Sequence, residues 1–176
     1  MPEFWKRLHS GITSQSVLHA AKLACYTAVR ISELLKARWD TGEIDFENNV
    51  WVIPASRMKM RRDHAVPLTK KTKQLFLDLY NSRVDDGYIF KNSRSLDSHM
   101  PSDSVLALIK RNGYGGQMVT HGFRSLFSTH ANNSKKFRSD AIEYQFAHVP
   151  KDRIRGIYNR AEYWEERIEL MEWYSN

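Results

Sequence analysis

The sequence predicts a mainly α fold carrying one small antiparallel three-stranded β-sheet, an α+β chain of one domain. Apolar residues recur at helical spacing through most of the 176 residues. Between residues 42 and 68 the period shortens to that of strands, and turn-forming residues interrupt it. The length suits a single domain with a buried core.

Residues 16–26 read as a helix, with Val17, Leu18, Ala21, Leu23, Ala24 and Cys25 on its apolar face. A second helix opens at Arg30, because Ile31, Leu34 and Leu35 repeat at helical spacing. Residues 42–46 and 50–53 read as strands on either side of the turn pair Asn48-Asn49, and residues 64–68 as a third. Residues 57–62 (Arg57-Met58-Lys59-Met60-Arg61-Arg62) form the basic tip of the hairpin between the last two strands. Residues 69–80 return to helix, with Leu75, Phe76, Leu79 and Tyr80 on one side, and residues 88–90 make a brief extended piece. Ser102 or Asp103 is expected to cap a helix running to about Arg111. Residues 113–116, with three glycines, read as a loop, and helices follow over 121–131, 139–147 and 161–174.

The composition is 41% hydrophobic and 27% charged, with 27 Lys and Arg against 20 acids and a net charge of +7. Such an excess favours a polyanionic partner, since each phosphate neutralised releases counterions. The one cysteine, Cys25, excludes an internal disulfide and any multi-cysteine zinc site, and its apolar neighbours mark it as a buried structural thiol. No signal peptide and no membrane-length apolar run is legible, so a cytoplasmic protein is expected. The histidines form no HExxH or other compact ligand set, and GxxxxGK[ST] is absent, so neither a metal nor a nucleotide cofactor is expected.

Four features can carry chemistry. Arg30 opens a helix, a poor place for a cation by the dipole argument, which suggests that it serves a ligand or an acid such as Glu33. His121 and Arg124 stand three residues apart and share a helical face, pairing a guanidinium fork with an imidazole. His148 precedes Tyr158 by ten residues, and Arg153, Arg155 and Arg160 flank that tyrosine. A tyrosine hydroxyl, with a pKa near 10, needs such neighbours to act as a nucleophile. Lys59 sits on the basic hairpin. Singly, each has an ordinary alternative: a surface arginine, a chance H-x-x-R, a packed tyrosine, an exposed lysine.

Their order and spacing resemble the tyrosine recombinase (phage integrase) family. Residues 25–35, Cys25-Tyr26-Thr27-Ala28-Val29-Arg30-Ile31-Ser32-Glu33-Leu34-Leu35, look like the family's first signature box. Thr120-His121-Gly122-Phe123-Arg124-Ser125 resembles the second, and the tail from His148-Val149-Pro150 through Tyr158 to Tyr163 is similar to prophage-type bacterial integrases. The resemblance implies the tyrosine recombinase catalytic-domain fold and site-specific recombination through a 3′-phosphotyrosine, without metal or ATP. It implies Tyr158 as nucleophile, Arg30 and Arg124 as clamps on the non-bridging oxygens, and Lys59 as general acid. It further implies His121 as a proton-transfer partner of the tyrosine, His148 as a hydrogen-bond donor to phosphate, and Glu33 as a supporting acid. Arg57, Arg61, Arg62 and Arg155 are expected at the DNA.

Two departures bear on the turns. Ala28 stands where the family has Gly, so the turn before Arg30 is expected to be shaped differently, and Gln145-Phe146-Ala147 replaces the usual residues before His148. The implied partners are double-stranded attachment sites, three further copies in a homotetramer on DNA, an excision factor and a DNA-bending host protein. Alone, the chain is expected to be a monomer, a catalytic fragment without core-binding and arm-binding domains, acting beside the nucleoid. Two other readings stay open: a nicking-closing enzyme of type IB topoisomerase kind, and a DNA-binding module of a decayed prophage integrase.

Overall fold

The computed structural model describes residues 4, 6, 14–148 and 163–176. Helix α1 (Gln15–Thr27) buries Leu18, Ala20, Ala21, Leu23, Ala24 and Cys25, so it is enclosed on most of its circumference and forms the centre of the core. A short helix α2 (Ile31–Leu35) follows, then strands β1 (Ile44–Asp45), β2 (Val50–Ile53) and β3 (His64–Pro67), joined as an antiparallel sheet in the order β1-β2-β3. In β2 the period of two is plain: Trp51 and Ile53 are buried and Val52 is exposed. Trp51 pairs with Val66 across β2 and β3 and packs edge-on to Phe76 of α3 (Lys70–Asn81), fixing the sheet against that helix. Thr69 caps α3, accepting from the Thr72 amide.

Beyond α3 the structure departs from the expectation. A second, two-stranded sheet pairs β4 (Lys91–Asn92) with β5 (Ser95–His99), and Tyr88 makes only an isolated bridge to Arg38. Helix α4 (Ser102–Ile109) takes Pro101 as its N-cap rather than Ser102 or Asp103. The expected loop at 113–116 begins instead as a widened helical turn, Lys110–Tyr114, that ends where Gly113 takes φ 86°. Helices α5 (Gly122–Ser134), α6 (Ser139–Gln145) and α7 (Trp164–Ser175) follow among the described residues. Around α1 and the sheet lies the main core, and a smaller cluster of Phe127, Ala131, Ile142, Phe146, Leu170 and Met171 joins α5, α6 and α7. None of the described helices is long and apolar enough to cross a membrane.

Cys25 is buried in this core, 3.9 Å from the Tyr174 hydroxyl, and burial pushes its thiol up to about 12. Thiolate is the reactive species, so at pH 8 alkylation of the folded chain is expected to run on the order of 10³-fold slower than in denaturant. Timed iodoacetamide labelling checks this, and equal rates would contradict the buried placement.

Candidate functional site

The site is assembled where three turns meet. The first ends α1. Thr27 Oγ1 donates to the Leu23 carbonyl at 2.6 Å, and Ala28 then takes the left-handed conformation (φ 55°, ψ 19°). The expectation of a differently shaped turn is therefore corrected: Ala28 adopts the conformation for which glycine is favoured, accepting the strain. The chain leaves that turn extended, so Arg30 becomes the N-cap of α2. Glu33 holds it at both ends, taking the Arg30 amide on Oε2 at 3.1 Å and the guanidinium on Oε1 at 2.7 Å. The buried Glu33 carboxylate thus offsets the unfavourable position of a cation at a helix start.

The second turn opens α5. His121 is its N-cap, and its carbonyl accepts from the Arg124 amide at 3.0 Å. This turn places an exposed imidazole and a buried guanidinium on one face. Arg124 is 6% exposed. Its Nη1 donates to the Ala28 carbonyl at 2.5 Å, its Nη2 to the Phe146 carbonyl at 3.4 Å, and its Cζ lies 4.5 Å from the Phe146 ring centre. Burial, and then the nearby Arg30 charge, lower its pKa to about 10, opposed by Glu33 and Glu143. It stays a cation at neutral pH, but one whose surroundings favour the arrival of an anion.

The third turn ends α6. Ala147 is also left-handed (φ 59°), with its amide bonded to the Tyr144 carbonyl and the His148 amide bonded to the Glu143 carbonyl, both at 3.0 Å. This is the helix-ending arrangement that glycine usually serves. It turns His148 back along the helix, where Nδ1 lies 2.7 Å from Glu143 Oε2. Below it, the buried Gln145 side chain donates to the Thr27 carbonyl at 2.9 Å and accepts from Arg167 of α7, whose guanidinium also reaches the Ala65 carbonyl of β3.

Arg30, His121, Arg124 and His148 come together in one open cleft of about 320 Å³, lined also by Ser125, Ser128, Glu143 and Phe146. Two guanidiniums, two imidazoles and two hydroxyls facing one space can hold a tetrahedral oxyanion and shuttle protons at it. Ser125 and Ser128 stand four and seven residues after His121, a helical-face spacing that makes them legible in the sequence. Among the described residues, no group of three His, Cys, Asp or Glu side chains is placed to hold a metal ion.

The other described candidates, Lys59, Arg57, Arg61 and Arg62, do not line the cleft. Lys59 is exposed on the loop between β2 and β3 and does not line the cleft; Arg61 and Arg62 are exposed beside it. Arg57, expected at the DNA, turns inward instead: its guanidinium pairs with the buried Glu43 and donates to the Lys36 carbonyl, fastening the hairpin to the end of α2. Tyr158 and Arg155 fall outside the described residues.

The two left-handed alanines differ in burial, which decides what glycine would do at each. At Ala28, fully buried, relief of about 1 kcal/mol of strain is cancelled by the buried methyl, worth about 0.8 kcal/mol. Ala28→Gly is expected to be neutral. At the half-buried Ala147 the methyl counts for less, so Ala147→Gly is expected to stabilise by about 0.5 kcal/mol. Urea unfolding of both variants checks the contrast; equal shifts would contradict it.

Comparison with known proteins gives concordant findings. The phage integrase family matches residues 4–165. The chain is 37% identical over 176 residues to prophage integrase IntA of Escherichia coli (strain K12), covering all of this chain and 42% of that protein. It thus spans less than half the length of that relative. Among solved structures, the integrase from mycobacterium phage Brujita superposes with a TM-score of 0.68 at 16% identity, over 96% of this chain and 55% of that one. The Tn1549 transposon integrase in complex with a circular intermediate DNA superposes with a TM-score of 0.67 at 16% identity, over 89% and 62%. At these identities the superpositions establish a shared fold.

Proposed function

This chain belongs to the phage integrase family, and from that premise we propose that it is the strand-cleaving domain of a site-specific DNA recombinase. The observation that carries the reading is the convergence of Arg30, His121, Arg124 and His148, drawn from residues 30 to 148, in one cleft of phosphate-binding character. In the proposed reaction the Tyr158 hydroxyl attacks the scissile phosphorus. The bond to the 5′-oxygen breaks, and a 3′-phosphotyrosine forms. Arg30 and Arg124 hold the non-bridging oxygens and stabilise the charge that builds there in the transition state. Lys59, carried by the β2–β3 loop, gives its proton to the departing 5′-oxygen. His121 exchanges the proton of the tyrosine, and His148 donates a hydrogen bond to phosphate. Glu33 holds Arg30 in place.

The phosphodiester energy is kept in the phosphotyrosine, so a 5′-hydroxyl from a second duplex can reseal the strand without ATP or metal. Integration and excision, rather than nicking and closing, is the preferred outcome, because IntA is a prophage integrase. DNA is the proposed partner, consistent with the net charge of +7 and with the Tn1549 integrase complex. Arg61, Arg62 and Arg155 are proposed to touch its backbone, and Arg57 to act through the loop it fastens. A homotetramer on two duplexes, helped by an excision factor and a DNA-bending host protein beside the nucleoid, completes the proposal.

The test is covalent trapping. The chain is incubated, without divalent metal, with nicked suicide duplexes carrying candidate attachment sites, and run on a denaturing gel. A DNA band shifted by the mass of the protein is expected. Binding of such a duplex with no covalent species would reduce the chain to a DNA-binding module.

A further inference from the structure

Nothing in the proposed reaction uses Glu143, yet this residue is the sole acid among the described side chains that line the cleft. A carboxylate in an anion site repels the phosphate, so its presence calls for a compensating role. An ordinary surface glutamate would point to solvent. Glu143, half-exposed, is instead bonded to His148 twice: its carboxylate lies 2.7 Å from Nδ1, and its backbone carbonyl takes the His148 amide at 3.0 Å. The left-handed Ala147 is what makes both contacts geometrically possible, and the Phe146 ring, 5.6 Å from the imidazole centre, borders the same histidine.

We propose that Glu143 is a positioning residue that fixes the His148 imidazole as the Nδ1–H form and so presents Nε2 to the phosphate. The inference rests on the phosphoryl-transfer reading of the cleft. An ionised carboxylate only accepts, so the shared proton belongs to Nδ1. Nε2 then faces its chemistry undivided, as an acceptor when the ring is neutral and as a donor to a phosphate oxygen when the ring is charged. Among the described residues, the charged and titratable groups that line the cleft with His148 are Glu143 from α6, Arg30 at the start of α2, and His121 and Arg124 from α5. The guanidiniums only donate, and the Glu143 carboxylate is the acceptor placed on the imidazole, 2.7 Å from Nδ1. An imidazole free in water prefers the other form, with its proton on Nε2, so the preference is the contribution of Glu143.

Long-range ¹H–¹⁵N NMR of the histidine rings reads this directly. Above the titration range of the ring, the wild-type chain is expected to show His148 as Nδ1–H, and Glu143→Ala to show it as Nε2–H. Glu143→Gln, whose amide can donate or accept, is expected to show a mixture. Inorganic phosphate is expected to move the Nε2 resonance of the wild type more than Nδ1. Nε2–H in the wild type, an unchanged form in Glu143→Ala, or a phosphate response confined to Nδ1 would each overturn the proposal.

The kinetic arm uses a duplex that the wild type cleaves. Glu143→Ala is expected to slow single-turnover adduct formation by about tenfold and to alter its pH profile without raising the half-saturating DNA concentration, with Glu143→Gln restoring part of the rate. A wild-type rate and pH profile in Glu143→Ala would also overturn it. If the wild type forms no adduct on any duplex, the recombinase reading falls, while the NMR and phosphate measurements still decide the role of Glu143.

Discussion

A Tyr158→Phe chain is expected to form no covalent adduct with DNA that the unaltered chain cleaves, a loss of at least about 10⁴-fold in rate. Phe keeps the ring and removes only the hydroxyl that would become the phosphate ester. Gel-shift affinity, which depends on the basic surface, is expected to persist and to weaken with salt. Other tyrosines of the tail are poor substitutes. Tyr163 is buried and gives its hydroxyl proton to Asp140 at 3.1 Å, and burial beside Cys25 pushes the Tyr174 hydroxyl well above its ordinary range. An adduct that survives in Tyr158→Phe would remove Tyr158 from the mechanism.

Arg124→Lys is expected to lower single-turnover adduct formation on the order of 10² to 10³-fold, the scale for losing one preorganised donor to transition-state charge. The charge is kept and the fork is lost. Arg124 uses two arms on the Ala28 and Phe146 carbonyls while offering others to the cleft, and an ammonium on a flexible stem cannot do both. At least one buried carbonyl loses its partner, so the same variant is expected to be less stable by about 1–3 kcal/mol in urea unfolding. The two readouts separate its roles. Lost activity with unchanged stability would mean that the carbonyl contacts contribute little. Unchanged activity would mean that Arg124 does not contact the reacting phosphate.

How much of the fold and the cleft is legible in the sequence depends on where the information sits along the chain. The α1 face, the strand at Val50–Ile53 and the helix after Thr69 are local patterns, and they lie where periodicity places them; the capping signal is less reliable, since Pro101 stands where Ser102 or Asp103 is expected. The β4–β5 hairpin escapes because Lys91-Asn92 and Ser95–His99 lack apolar alternation, so backbone pairing is its only signal. Gly113 reads as a loop residue, yet the helix runs into it before it ends the turn. Within the site, Arg30, His121, Arg124 and His148 are individually ordinary and stand out only by order and spacing. Glu143 escapes for a geometric reason. Five residues before His148 is not a helical-face interval, and only the left-handed turn at Ala147 folds the histidine back onto it. The inward turn of Arg57 is equally hidden, since its partner Glu43 is fourteen residues away and ahead of β2.

The buried Gln145 carries a consequence for how the chain folds. Its amide joins the end of α1 to α6 across 118 residues, and through Arg167 it reaches β3 and α7. Such a junction cannot form in a local segment, because the entropy of closing so long a loop must be met before any of its bonds is made. The turns at Arg30 and His148 are held by local bonds, but their meeting in one cleft is expected only with the cooperative step that docks the last helix. Refolding should recover helical signal early and the cleft only with the full native state, as expected when long-range contacts set the rate.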